Sequence, residues 1–193
     1  MYRISEVVKN LIFINAIVFL ALQLPLFSAF RHFFVLYPVG SEAFQPVQLV
    51  THMFNHGNMS HLFFNMLALF FFGPDVENIW GAKKFLIYYM ICGLGSMIAH
   101  VILGGNAPVL GASGAISGVL IAFAWLYPDR RVMLLIPPIP MKAKYLIMII
   151  IVMDLFLGLS HMSTGIAHFA HLGGAFFGFL LIMFWRNKGE LYS

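Results

Sequence analysis

Six apolar runs, at roughly 8–28, 58–79, 83–103, 112–128, 143–160 and 166–185, take up most of the 193 residues. A helix that crosses a bilayer needs about 20 mostly apolar residues, with a range of about 17 to 25. Each run fits that range, and the fourth is short and rich in small residues. The basic residues between the runs sort by side. With the N-terminus inside, the inner segments hold Arg3, Lys9, Lys83, Lys84, Arg130, Arg131, Lys142, Lys144, Arg186 and Lys188, and the outer segments hold only Arg31 of the 11. Positively charged loops stay on the cytoplasmic side, and adding or removing one run would scramble this order. The reading is an all-α polytopic membrane protein with six spans and both termini cytoplasmic.

Composition agrees. Charged residues make up 9% of the chain and hydrophobic ones 61%, whereas a soluble domain carries about 25% charged residues. The net charge of +4 is read as membrane topology, and no nucleic-acid partner is expected. Cys92 is the single cysteine, so no disulfide forms within the chain. No segment reads as a cleaved leader, and the length leaves room for one membrane domain, 1–193.

The stretch between the first two runs, 29–57, carries Phe30, Phe33, Phe34, Tyr37, Phe44 and Phe54. Amphipathic aromatic segments favour the headgroup level, so a half-embedded outer loop is expected. The inner connection, 128–142, holds Pro128, Pro137, Pro138 and Pro140, which break helices and fix a turn.

Chemistry concentrates near the outer ends of the runs. Gly111-Ala112-Ser113-Gly114 opens the fourth run, and Ala170-His171-Leu172-Gly173-Gly174 lies early in the sixth. A serine hydroxyl is a weak nucleophile until a base within hydrogen-bond reach takes its proton, and histidine is the usual base. Gly114 and Gly118 beside the serine, and Gly174 and Gly178 beyond the histidine, are spaced i, i+4. Such small-residue faces let membrane helices approach backbone to backbone. Both groups sit about a turn below the outer surface, which makes Ser113 the candidate nucleophile and His171 its base. The plain alternative is that these residues only pack helices. That alternative is favoured for Ser117, a turn deeper.

A second cluster holds His52, His56 and His61 with Asn55, Asn58 and Asn65. His61 and Asn65 share one helix face. Polar side chains at membrane depth are costly and are functional candidates. Acyl transfer at Ser113 would need donors for an oxyanion, a role that suits His61 and Asn65. Three histidines could instead bind zinc, but there is no His-Glu-x-x-His, no second cysteine and no acid close by. His52 and His56 also suit plain interhelical hydrogen bonds. Asp75 and Glu77 are expected at the inner interface, paired with Lys83, Lys84 or backbone. Asp154 is read as structural, with a triad or proton-relay role as its alternatives. His168 lies one turn before His171, and the glycines that follow decide for His171.

Taken in order, Gly111-Ala112-Ser113-Gly114, His61-x-x-x-Asn65, His171-x-x-Gly174-x-x-x-Gly178 and the Glu77 region resemble the rhomboid family of intramembrane serine proteases. The likeness runs across nearly the whole chain and suits a minimal, bacterial, six-span form. It implies a Ser113/His171 dyad, and an oxyanion hole from His61, Asn65 and the Ser113 N–H. It also implies a water-filled cavity opening outward, with the fifth helix and the loop 159–166 as a gate. Two departures stand out. Val47-Gln48 replaces the Trp-Arg of many bacterial members. Ser117 replaces a tyrosine that stacks under the histidine, which leaves open what orients His171.

The expected reaction is hydrolysis of a peptide bond in or beside a transmembrane segment, without cofactor or metal. The expected partners are the lipid bilayer and single-pass membrane proteins with helix-destabilising residues, and a bacterial inner membrane is the expected location. Two other classes fit the same composition. A small-solute transporter would carry polar groups through both halves of the bilayer, whereas here they gather in the outer half. A non-catalytic client-binding relative would keep the fold without a reactive serine.

Overall fold

In a computed structural model, residues 4–104, 106–133, 138–160 and 165–192 are described. The chain is mostly helical. Helix α1 (Glu6–Gln23) is followed by a 3-10 segment (Pro25–Phe34), a short helix α2 (Gln48–Thr51) and a 3-10 turn (His52–Phe54). Then come α3 (Met59–Leu103), α4 (Ser113–Leu126), a hairpin of β1 (Arg131–Met133) and β2 (Pro140–Lys142), α5 (Ala143–Leu159) and α6 (His168–Asn187). The strands are antiparallel, with Val132 opposite Met141. Part of the expected gate, 161–164, and part of the proline-rich connection, 134–137, lie outside the described residues.

Among the described residues, three helices are long and apolar enough to cross a membrane: α1, α3 and α6. The six-run reading differs from this in three places, one of them α5, whose 17 residues are at the short end of a span. The second and third runs both lie in α3, whose 45 residues are broken at Gly81, where φ is +76°. Only glycine adopts that conformation without steric cost, so the chain turns there while its helical hydrogen bonding nearly continues. The fourth run gives α4 only 14 residues, about 21 Å at about 1.5 Å per residue. That is shorter than a hydrocarbon core of about 30 Å.

Helices α3, α4 and α6 form the centre of the bundle. Their contact is set by missing side chains. A methyl added to Gly174 would overlap the Gly114 carbonyl, and one on Gly178 would lie 3.1 Å from the Gly118 Cα. The Tyr88 hydroxyl donates to the Gly118 carbonyl at 2.8 Å. Around this seam the core is apolar, with Phe85, Tyr88, Tyr89, Cys92, Val119 and Ile182 fully buried. Helix α5 is peripheral: Ile149, Val152, Met153, Phe156 and Leu159 face outward, and only Ala143, Leu146, Ile147 and Asp154 are buried.

One end of the bundle is closed by ionic and aromatic contacts. Glu77 of α3 receives the Ser5 hydroxyl and the N–H groups of Val7 and Val8, the latter two at 2.9 Å. It thereby caps α1 from another helix, satisfying donors that the first turn leaves unmet. Arg130 bonds Asp75 at 2.7 Å, and Lys84 donates to the Glu190 carbonyl. Trp80, Tyr88 and Trp185 stack edge to face and tilted between them. Glu77 thus bonds to backbone, one of the two pairings expected of it, while the partner of Asp75 is Arg130 rather than Lys83 or Lys84.

Candidate active site

The opposite end holds the polar groups. The loop entering α4 is fixed on two sides. Val109 and Leu36 exchange backbone bonds at 2.8 and 2.9 Å, and the Gly111 N–H donates to the His52 carbonyl at 2.9 Å. Gly111 has φ +124°, and a methyl there would lie 2.9 Å from Nε2 of His61, so only glycine lets the chain turn against that ring. Ser113 is the first residue of α4. The N–H groups of a first turn have no partner within the helix and carry a partial positive charge.

His171 lies in the first turn of α6, its N–H bonded to the Ala167 carbonyl at 3.2 Å. Because the glycine seam draws α4 and α6 together, His171 Nε2 comes within 2.8 Å of Ser113 Oγ. The other ring nitrogen, Nδ1, lies 3.2 Å from Asp154 Oδ1 of α5. His168 Nδ1 reaches the same oxygen at 2.7 Å. Ser117 donates to the Ser113 carbonyl at 2.9 Å, a local bond within the helix.

His61 sits in the first turn of α3, where Asn58 caps the helix by accepting the His61 N–H at 2.8 Å. Its ring stands between Gly111 and His56, 5.0 Å from the His56 ring. Asn65 is buried one turn on and gives one amide N–H to the His61 carbonyl at 2.9 Å. A side-chain amide has two such hydrogens, so one remains. His52 Nδ1 bonds the Gln48 carbonyl at 2.7 Å. Burial pushes the pKa of His52 down to about 4 and that of His56 to about 3, so both are neutral near pH 7.

Three potential metal-ligand atoms do come within 4.8 Å of one another among the described residues, at Asp154, His168 and His171 and not in the His52–His56–His61 set. Their separations of 2.7 and 3.2 Å are those of N–H···O bonds. The sequence reading left Asp154 as structural; the only signal for its contact was an acid at the same depth as His171. Gln48, part of the Val47-Gln48 departure noted in the sequence, is fully buried and donates to the carbonyls of His32 and Ala43 at 2.9 Å each. It knits the 3-10 segment to α2.

Comparison with known proteins adds a family. Residues 43–188 match the model of the rhomboid domain. The chain is 32% identical to the mitochondrial presenilin-associated rhomboid-like protein of Rattus norvegicus, over 97% of this chain and 52% of that protein. It is 31% identical to the mitochondrial Rhomboid protein 1 of Saccharomyces cerevisiae, over 89% of this chain and 52% of that one. It is 33% identical to RHOMBOID-like protein 4 of Arabidopsis thaliana over 65% of this chain. The chain spans about half the length of the rat and yeast relatives. The expected bacterial inner membrane finds no support among these proteins.

Proposed function

The chain belongs to the rhomboid family, and from that premise we propose that it is an intramembrane serine endopeptidase working through Ser113 and His171. The observation that carries this reading is the 2.8 Å approach of His171 Nε2 to Ser113 Oγ, at the end of the bundle away from the basic residues. Ser113 attacks the scissile carbonyl. Its proton passes to His171 Nε2 and then to the leaving amine, and water releases the acyl enzyme. The Ser113 N–H, His61 and the second N–H of Asn65 are the donors for the oxyanion. Such donors are worth about 3–4 kcal/mol each.

In this reading the chain is one membrane domain. It crosses the bilayer six times, with α3 counted twice across Gly81 and the short α4 recessed behind its neighbours. Both termini lie on the side rich in Lys and Arg, and the site opens on the other. The aromatic stretch 29–57 rests half-embedded at that surface, with Leu26 and Phe30 turned outward.

A helical substrate hides its carbonyls in its own hydrogen bonds, so it must unwind before it can be cut. Segments with Gly, Pro or polar residues, and a small residue before the scissile bond, are preferred. The test uses purified chain in liposomes with two single-pass peptides, alike except that one carries a Gly-Ser pair within its apolar helix. Faster cleavage of the Gly-Ser peptide supports the reading. Equal cleavage of both removes the unwinding step, and cleavage that persists in Ser113→Ala removes the nucleophile.

A further inference from the structure

Resting on the Ser113–His171 reading, we infer that Asp154 is the positioning residue of the site: it fixes the tautomer of His171 and stabilises the imidazolium formed when Ser113 gives up its proton. Two imidazoles from α6 converge on one carboxylate oxygen from α5, at 2.7 and 3.2 Å. Asp154 is 8% exposed. The other buried residues of α5, namely Ala143, Leu146 and Ile147, are apolar and lie toward its opposite end. A charged side chain this deep is costly unless it is paired. Gly158, one turn further along α5, lets the helix sit close. A methyl there would lie 3.3 Å from the Phe169 ring and 3.4 Å from His168 Cβ.

An ionised carboxylate can only accept hydrogen bonds. Both Nδ1 atoms therefore carry the proton. For neutral His171 this leaves Nε2 bare, facing the Ser113 hydroxyl at 2.8 Å. The bonds then run in one direction, Oγ–H to Nε2 and Nδ1–H to Oδ1, from α4 through α6 to α5. When Oγ bonds to the substrate carbonyl carbon, its proton moves to Nε2 and the ring becomes cationic beside Asp154. The proton leaves with the amine, and Asp154 itself stays ionised throughout. His168 donates the second bond to Oδ1 and keeps that oxygen aimed at His171. This assigns the orienting role left open by Ser117, whose hydroxyl is used on backbone. A metal held on the two Nδ1 atoms would instead put the proton of neutral His171 on Nε2 and remove the base.

The test measures cleavage of the Gly-Ser peptide in liposomes and the rate of fluorophosphonate labelling, for wild type, Asp154→Asn, Asp154→Glu, His171→Ala and Asp154→Asn/His171→Ala. Asp154→Asn is expected to lower kcat by about 10²–10⁴-fold, the upper value being that of the same change in a Ser-His-Asp triad. KM is expected to stay within about threefold, because Asp154 touches no substrate. Asp154→Glu restores part of kcat. In the His171→Ala background Asp154→Asn costs nothing more, since a residue acting through His171 has nothing left to act on. The inference is overturned if Asp154→Asn cleaves within about threefold of wild type, if the loss lies in KM and thermal stability alone, or if the two losses multiply. Should Asp154→Asn not fold, proton NMR of the unmodified site decides. A downfield Nδ1–H resonance that survives Ser113→Ala and vanishes in His171→Ala supports the inference, and its absence overturns it. Wild type that neither labels nor cleaves refutes the protease reading itself, a result distinct from wild-type activity indifferent to Asp154.

Discussion

The two ends of the bundle each bury a carboxylate, and they use it differently. Glu77, 5% exposed, receives a hydroxyl and two backbone N–H groups from the start of α1. None of those donors changes its protonation near neutral pH, so the contact is a fixed clamp. Asp154, 8% exposed, lies 2.7 and 3.2 Å from two imidazole nitrogens, and one of those rings has its other nitrogen 2.8 Å from a serine hydroxyl. The same chemical group closes one end against change and, in the proposed mechanism, readies the other for proton transfer. What separates them is the nature of the donors.

The largest expected effect comes from separating the helices that make the reactive end. Gly174→Val places side-chain atoms into the Gly114 carbonyl. Overpacking typically costs about 1–3 kcal/mol and more where rigid backbone must give way, and the Ser113–His171 approach should be lost with it. Thermal unfolding in detergent, run beside labelling, checks both. Glu77→Ala should strike only the clamp. It leaves the Val7 and Val8 N–H groups unmet, at about 1–3 kcal/mol, while the labelling rate per folded molecule stays near wild type. A large loss of labelling from a still-folded Glu77→Ala would erase the distinction between the ends.

A pH titration sharpens the comparison further. His56 is held neutral by burial, its pKa pushed from 6.5 down to about 3. The unfolded chain therefore binds more protons between those values, and the stability His56 contributes is present above about pH 6.5 and lost as the pH falls toward 3. The melting temperature should drop between about pH 7 and pH 5, and His56→Phe should flatten that drop. At the small end stands Asp129, which pairs with Lys142 and Lys144 at 2.9 Å on the exposed surface of the hairpin. Asp129→Asn should leave the melting curve unchanged, since solvated pairs contribute little.

The meeting of Ser113 and His171 could be read from the chain because its requirements are local and chemically distinct. Glycines at i, i+4 beside Ser113 and beyond His171 announced a close helix pair, and those residues lie at the α4–α6 seam. Apolar runs announced the helices. The rest depended on contacts between distant segments. Nothing around Asp75 named Arg130 as its partner over Lys83 or Lys84, because any basic residue at that depth satisfies the same rule. Asp154 stood alone in an apolar run, and only the packing of α5 on α6 brings it to two histidines. Gln48 stood out in the sequence only as part of a departure from Trp-Arg; in the fold it carries hydrogen bonds of its loop. The gap between the runs 58–79 and 83–103 marked the turn that falls at Gly81, but not that a single left-handed glycine makes it within one nearly continuous helix.

The protease reading turns most directly on one adduct. Purified chain would be treated with a fluorophosphonate probe, and the modified residue mapped by mass spectrometry in wild type, Ser113→Ala and His171→Ala. Modification at Ser113 in wild type, lost in Ser113→Ala and sharply slowed in His171→Ala, is the predicted result. A folded wild type that takes no label, or an adduct that persists on another serine in Ser113→Ala, would contradict it.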